Sequence, residues 1–194
     1  YFGMAIGDAS GHGLGPAMVM SDVRAILRTL TTVYSDVGEI MQLLNQIAVR
    51  DLGVSMFMTL FLVRLEAESG SFHYSGAGHS GIVLDTRGEV RIELPPAFPP
   101  LNVVPDFRCE TPLSEQLSPG ETLLLFTDGI TESHRLESYQ DLFGEDRLLQ
   151  LVRDRYRLPS AELAREIVDA ARDFASPDLP EDDITVVVAK RLSE

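Results

Sequence analysis

Apolar side chains recur at helical spacing over residues 15–34, at Met18, Val19, Val23, Ile26, Leu27 and Leu30. This spacing predicts a helix with one buried stripe. After a break at Asp36 and Gly38 the period resumes with Ile40, Met41, Leu43, Leu44 and Ile47, which predicts a second helix. The methionines in both stripes read as core filling, because the unbranched thioether adapts to irregular gaps. From residue 56 the pattern changes to that of strands. Residues 56–65 form a β-type run, 70–75 alternate, and 81–84 and 89–94 extend the series. Glu68-Ser69-Gly70 and Asp85-Thr86-Arg87-Gly88 supply turn chemistry between them. Residues 95–105 carry five prolines and read as a loop too short to link domains. A continuous apolar strand follows over 121–127, then helices over 145–156 and 160–175, the second with Ser160 as its N-cap, and a closing strand over 184–190. This order, two helices, a meander of strands, two helices and a last strand, predicts an α+β fold with largely antiparallel pairing and helices covering the sheet faces.

The length of 194 residues fits a single domain. With 44% hydrophobic and 24% charged residues the composition is that of a folded globular chain. A formal net charge of −14 argues against nucleic-acid and anionic-membrane partners, since both are polyanions. The single cysteine, Cys109, excludes an internal disulfide and a thiolate zinc site and suits a reducing cytosol. It lies between Asp106 and Glu110, whose charges oppose thiolate formation, so it is a poor nucleophile. The apolar runs are too short and interrupted to span a membrane. The first residues lack the basic region of a signal peptide and read as the middle of a strand. The chain is therefore expected to be a piece of something longer.

Three acidic motifs carry the candidate chemistry: Gly7-Asp8-Ala9-Ser10-Gly11-His12-Gly13, Thr127-Asp128-Gly129 and Glu181-Asp182-Asp183-Ile184-Thr185. The first two follow apolar strands and the third precedes one. A carboxylate at the end of a buried strand is costly to desolvate without a compensating positive charge. Convergence of three such carboxylates at one sheet edge would be balanced by a hard divalent cation. The donors are oxygens only, with no His pair or cysteine cluster, which favours magnesium or manganese over zinc. The glycines of the first motif fit neither the dinucleotide fingerprint nor the P-loop. They instead allow a sharp turn after Asp8 that leaves main-chain carbonyls facing a cation. Gly78-His79-Ser80-Gly81 departs from a nucleophile elbow, because Ile82 stands where the last glycine is needed. His79 reads equally as a site residue and as a satisfied histidine at a tight turn, while His73 and His134 read as surface residues.

Together, the first motif at residues 7–13, Phe57-Met58-Thr59-Leu60, Ala77-Gly78-His79, Phe126-Thr127-Asp128-Gly129-Ile130-Thr131-Glu132 and Asp182-Asp183-Ile184-Thr185 resemble, in order, the motifs of a known family. It is the PPM (PP2C-like) serine/threonine phosphatases, in their bacterial stage-II sporulation protein E and sigma-factor-regulator branch. The resemblance implies a β-sandwich of mostly antiparallel strands flanked by helices, α-β-β-α in layers, and one phosphatase domain over residues 1–194. It also implies two divalent cations, Mn2+ or Mg2+. By motif, Asp8 bridges both, the backbone carbonyl of Ala9 completes one site, and Asp128 and Asp182 hold the other ion, with Asp183 as the alternative if the motif is offset by one. The family opens with a Gly-Gly-Asp strand upstream of the first motif, beyond Tyr1. His12 and His79 are the candidate substrate-binding residues.

The activity implied is hydrolysis of phosphoserine or phosphothreonine by metal-activated water, without a phosphoenzyme. The implied substrate is a small anti-sigma-factor antagonist in bacterial partner-switching. The resemblance also implies a cytoplasmic setting and an upstream sensor or receiver domain that biases the packing of the helix pair at residues 15–50. A homodimer is a further expectation, and neither nucleic acid nor membrane insertion is expected of this domain. The alternatives are a catalytically silent domain of this fold that binds a regulatory partner, and a serine hydrolase built on Ser80.

Overall fold

The apolar run that begins near residue 56 is the centre of a sheet. In the computed structural model, which describes residues 1–52, 56–108, 113–135, 138–175 and 183–192, this run forms β2 (Met58–Leu65). It lies in the first of two units, Tyr1–Ser80 with Pro95–Gln116; the second comprises Gly81–Leu94 with Leu117–Glu194. Strands β1 (Phe2–Ala9), β2, β3 (Ser71–Ala77) and β6 (Leu113–Gln116) pair antiparallel in the order β1-β2-β3-β6. Met58, Leu60, Phe61, Leu62 and Val63 are all buried, so β2 reads as a continuous apolar run because both of its faces are covered.

One face of this sheet is covered by helices α1 (Leu14–Val33) and α2 (Val37–Asp51). Asp36 caps α2, its carboxylate accepting from the Gly38 and Glu39 amides at 2.8 and 2.9 Å. Val37, Ile40, Met41, Leu44 and Ala48 then follow at spacings of three and four residues and pack with Val19 and Val23 against Met58, Leu60, Leu62 and Ala77. Ser75 stands on this same face, opposite Leu62, and is 1% exposed. Its hydroxyl has no hydrogen-bond partner among the described residues. Ser75→Ala is therefore expected to stabilise the chain by about 1 kcal/mol. This should appear as a rise in Tm of about 2–4 °C; a fall would mean that the hydroxyl is satisfied.

In the second unit the order is β10 (Val186–Lys190), β7 (Thr122–Phe126), β4 (Gly81–Leu84) and β5 (Val90–Leu94), again antiparallel. Leu124, Ile82 and Leu84 share a core with Leu148 and Val152 of α4 (Gly144–Arg155) and with Leu163, Ile167 and Ala171 of α5 (Ser160–Phe174). Lys190, the one lysine of the chain, donates to the carbonyls of Tyr156 and Leu158 just past the end of α4. Burial pushes its pKa down. Glu121 is buried but compensated, pairing with Arg91 at 2.9 Å and accepting from the Ser118 amide at 2.8 Å.

The α+β expectation with antiparallel pairing and helix-covered sheets is met. Some local expectations are corrected. Ser160 is the first residue of α5 rather than its cap; Pro159 holds the cap position and offers no side-chain acceptor. The second acidic motif runs into a short helix, α3 (Asp128–Thr131). Strand β6 and the hairpin of β8 (His134–Arg135) with β9 (Ser138–Leu142) were not predicted. Leu113-Ser114-Glu115-Gln116 carries no apolar alternation, so β6 is defined by its pairing with β3 alone. His73 is exposed as expected, whereas His134 is half-buried. Cys109 lies outside the described residues. Among the described residues no helix is long and apolar enough to cross a membrane.

Candidate metal centre

The first acidic motif is built on a very close strand contact. Asp8 lies opposite Thr59 in the β1–β2 register, and its amide donates to the Thr59 hydroxyl at 3.2 Å. A Cβ on the preceding residue, Gly7, would come within 2.4 Å of the Thr59 carbonyl oxygen, so only glycine allows this approach. Ala9 is buried in the core beneath the helices. Strand alternation therefore sends the half-buried Asp8 side chain to the opposite face of the sheet. Ser10 closes the strand end, its amide donating to the Phe57 carbonyl at 2.9 Å and its hydroxyl accepting from the Phe57 amide at 3.0 Å. The chain then turns through Gly11 and Gly13, at φ 90° and 92°. This is the glycine turn expected after the carboxylate, beginning two residues beyond the end of β1. His12 is exposed within it.

His79 belongs to the same assembly. It is 8% exposed, and its Nδ1 lies 3.2 Å from the Thr59 hydroxyl that also receives the Asp8 amide. Thr59 thus links the strand carrying Asp8 to the turn after β3. Gly78, immediately before His79, has φ 67° and so little room that a Cβ would stand 2.5 Å from the Pro100 ring.

The second and third motifs are joined by Thr127. Phe126 of β7 pairs with Val186 of β10, which sets Thr127 beside Thr185. The Thr127 amide donates to the Thr185 carbonyl at 3.1 Å. Its hydroxyl accepts from the Thr185 amide and donates to the Asp183 carbonyl, both at 3.0 Å. Asp128 and Asp183 are exposed and are fixed at one end of two neighbouring strands. Asp128 opens α3, where its carboxylate accepts from the Gly129 amide at 3.1 Å. Ser133 closes the turn by donating to the Gly129 carbonyl at 2.7 Å.

The structure therefore brings Asp8 and His79 together around Thr59, with Ala9 next along β1 opposite Met58, and Asp128 together with Asp183 around Thr127. The first group lies in the first unit and the second in the second unit, while Asp182 lies outside the described residues. Among the described residues, neither unit alone gathers three His, Cys, Asp or Glu side chains able to hold a metal ion. The donors are carboxylates and a main-chain carbonyl, a hard oxygen set that suits magnesium or manganese. No role was foreseen for Ser10, Thr59 or Thr127. The readable signal for the two threonines was a hydroxyl residue within or at the end of an otherwise apolar strand.

The family model of stage II sporulation protein E (SpoIIE) matches residues 1–192. Among curated proteins, the phosphoserine phosphatase RsbU of Bacillus subtilis is 23% identical over 189 residues, covering 97% of this chain and 55% of the relative. The chain thus spans about half the length of that relative. Among solved structures, the SiaA-PP2C domain of Pseudomonas aeruginosa superposes with a TM-score of 0.80 at 24% identity, over 97% of this chain and 74% of that one. The catalytic domain of the serine/threonine protein phosphatase PstP, in complex with 2 manganese ions, gives a TM-score of 0.69 at 16% identity, over 98% of this chain and 88% of that one. The PP2C fold expected from the motifs is shown by these likenesses. By its match over residues 1–192, the chain belongs to the stage II sporulation protein E (SpoIIE) family.

Proposed function

We propose that residues 1–194 form one phosphatase domain that hydrolyses phosphoserine or phosphothreonine on a protein, with two divalent cations, Mn2+ or Mg2+. The observation that carries this reading is the fixing of the acidic motifs at strand ends, Asp8 through Thr59 and Asp128 with Asp183 through Thr127. Strand ends pinned by hydroxyls, Thr59 half-buried and Thr127 buried, favour carboxylates held with little reorganisation, which is what electrostatic catalysis requires. Asp8 would bridge the two cations, the Ala9 carbonyl would serve one of them, and Asp128 would hold the other with Asp182 or, if the motif is offset, Asp183. When bound, the cations supply neutralisation of charge on the phosphoryl oxygens and activation of water.

Overall, a P–O bond forms to water and the P–O bond to the serine or threonine oxygen breaks. That oxygen leaves with a proton as a hydroxyl, and inorganic phosphate is released. No side chain of the protein needs to be phosphorylated. Asp8 and Asp128 hold and orient rather than attack. His12 is exposed and so accessible to a phosphoprotein, while His79 is buried behind Thr59 and acts through it.

The likeness to RsbU supports a small anti-sigma-factor antagonist as the substrate. It also supports a place in a longer cytoplasmic protein whose upstream sensor or receiver domain acts on α1 and α2; a homodimer is a further part of the proposal. The test is phosphate release from a phosphoserine protein with and without Mn2+. Release that depends on Mn2+ and stops on chelation is expected. No release, with no Mn2+ binding by calorimetry, would instead identify a silent partner-binding domain.

A further inference from the structure

Asn45 is polar, lies on the buried face of α2 and is 1% exposed. Its amide nitrogen donates to the carbonyls of Val104 and Pro105 at 2.9 and 3.2 Å, and its oxygen accepts from the Asn102 amide at 3.0 Å. These side-chain hydrogen bonds all go to the proline-rich loop. That loop in turn is bonded to the two segments under Asp8. Leu101 exchanges backbone bonds with Met58 at 2.8 and 3.3 Å, and the Phe98 carbonyl accepts from the Gly78 amide at 2.7 Å. Asn102 adds a bond from its side chain to the Met56 carbonyl at 2.6 Å, and it adopts φ 69° to do so. Met58 directly precedes Thr59 and Gly78 directly precedes His79. These are the two side chains joined beneath the Asp8 amide.

We infer that Asn45 is a positioning residue for Asp8. It holds the loop in the one register that lets Met58 and Gly78 present Thr59 and His79 to the strand end. The inference rests on the proposed role of Asp8 in binding cations. A merely structural asparagine would lower stability when removed and leave the cation site no worse than any equal loss of stability. A positioning asparagine would loosen the strand end selectively. Losses of the groups that orient metal ligands typically cost about 10–100-fold in affinity.

The experiment compares Asn45→Ala in the full chain with a substitution at its neighbour Leu44, Leu44→Val or Leu44→Ala, chosen for an equal fall in Tm. Two readouts are taken: Mn2+ affinity by calorimetry, and amide hydrogen exchange at Asp8, Ser10 and residues 57–59. Asn45→Ala is expected to weaken Mn2+ about tenfold or more and to speed exchange at those amides, while the Leu44 control does neither. Asn102→Gly, which keeps access to positive φ but loses the bond to Met56, should show the same pattern in a milder form and serves if Asn45→Ala does not fold. Equal behaviour of variant and control overturns the inference and leaves the phosphatase reading standing. Failure of the unaltered protein to bind Mn2+ overturns both.

Discussion

Asp8→Asn is expected to lower kcat on a phosphoserine protein by about two to three orders of magnitude, equivalent to about 3–4 kcal/mol of lost transition-state stabilisation. The substitution preserves the shape of the side chain and the backbone amide that donates to Thr59, so the strand pairing of β1 with β2 persists. What it removes is the negative charge. In the proposed site that charge is shared by both cations, so Asp8→Asn should abolish Mn2+ binding at both positions. Asp128→Asn should leave one cation bound, because Asp128 serves only one of them. Calorimetric stoichiometry therefore separates the two roles, and circular dichroism with a Tm near that of the unaltered protein shows that neither loss is one of folding. Full activity in Asp128→Asn would sink the assignment of the site.

The motifs were legible in the sequence because their physics is local. A carboxylate following a buried apolar run announces an uncompensated charge, and Gly11 and Gly13 announce the turn that the structure places at positive φ. The helix pair was legible for the same reason, its buried stripe recurring every three or four residues. What escaped was whatever depends on pairing between distant segments. Thr59 meets Asp8 across 51 positions and Thr127 meets Thr185 across 58, and nothing near either threonine specifies that register. Asn45 reads as a helix residue out of pattern until its partners, 57 to 60 positions away, are known. Strand β6 escaped for a related reason, since an edge strand of polar residues exists only by virtue of its neighbour.

Gly7→Ala is expected to damage both fold and site, although it adds a single methyl group. In sequence Gly7 opens the first acidic motif; within a strand, as the structure places it, a glycine is ordinarily a weak point and alanine an improvement. Here the added Cβ would stand 2.4 Å from the Thr59 carbonyl oxygen, 2.9 Å from the Met58 side chain and 3.1 Å from that of Leu60. The two side chains can yield, but the carbonyl belongs to the buried central strand of the sheet and can move only with its backbone. Relief therefore has to come from β1 separating from β2 at the end that carries Asp8. Overpacking of this kind costs about 1–3 kcal/mol. For a chain of this size that is a fall in Tm of about 2–12 °C, at about 2–4 °C per kcal/mol. Because the Asp8 amide and the Thr59 hydroxyl are drawn apart in the same movement, Mn2+ affinity should fall together with stability. In Asp8→Asn the affinity should fall with stability retained. A Gly7→Ala protein with unchanged Tm and unchanged Mn2+ binding would show that the strands can part without disturbing the carboxylate, and that the close approach at Gly7 does not position it.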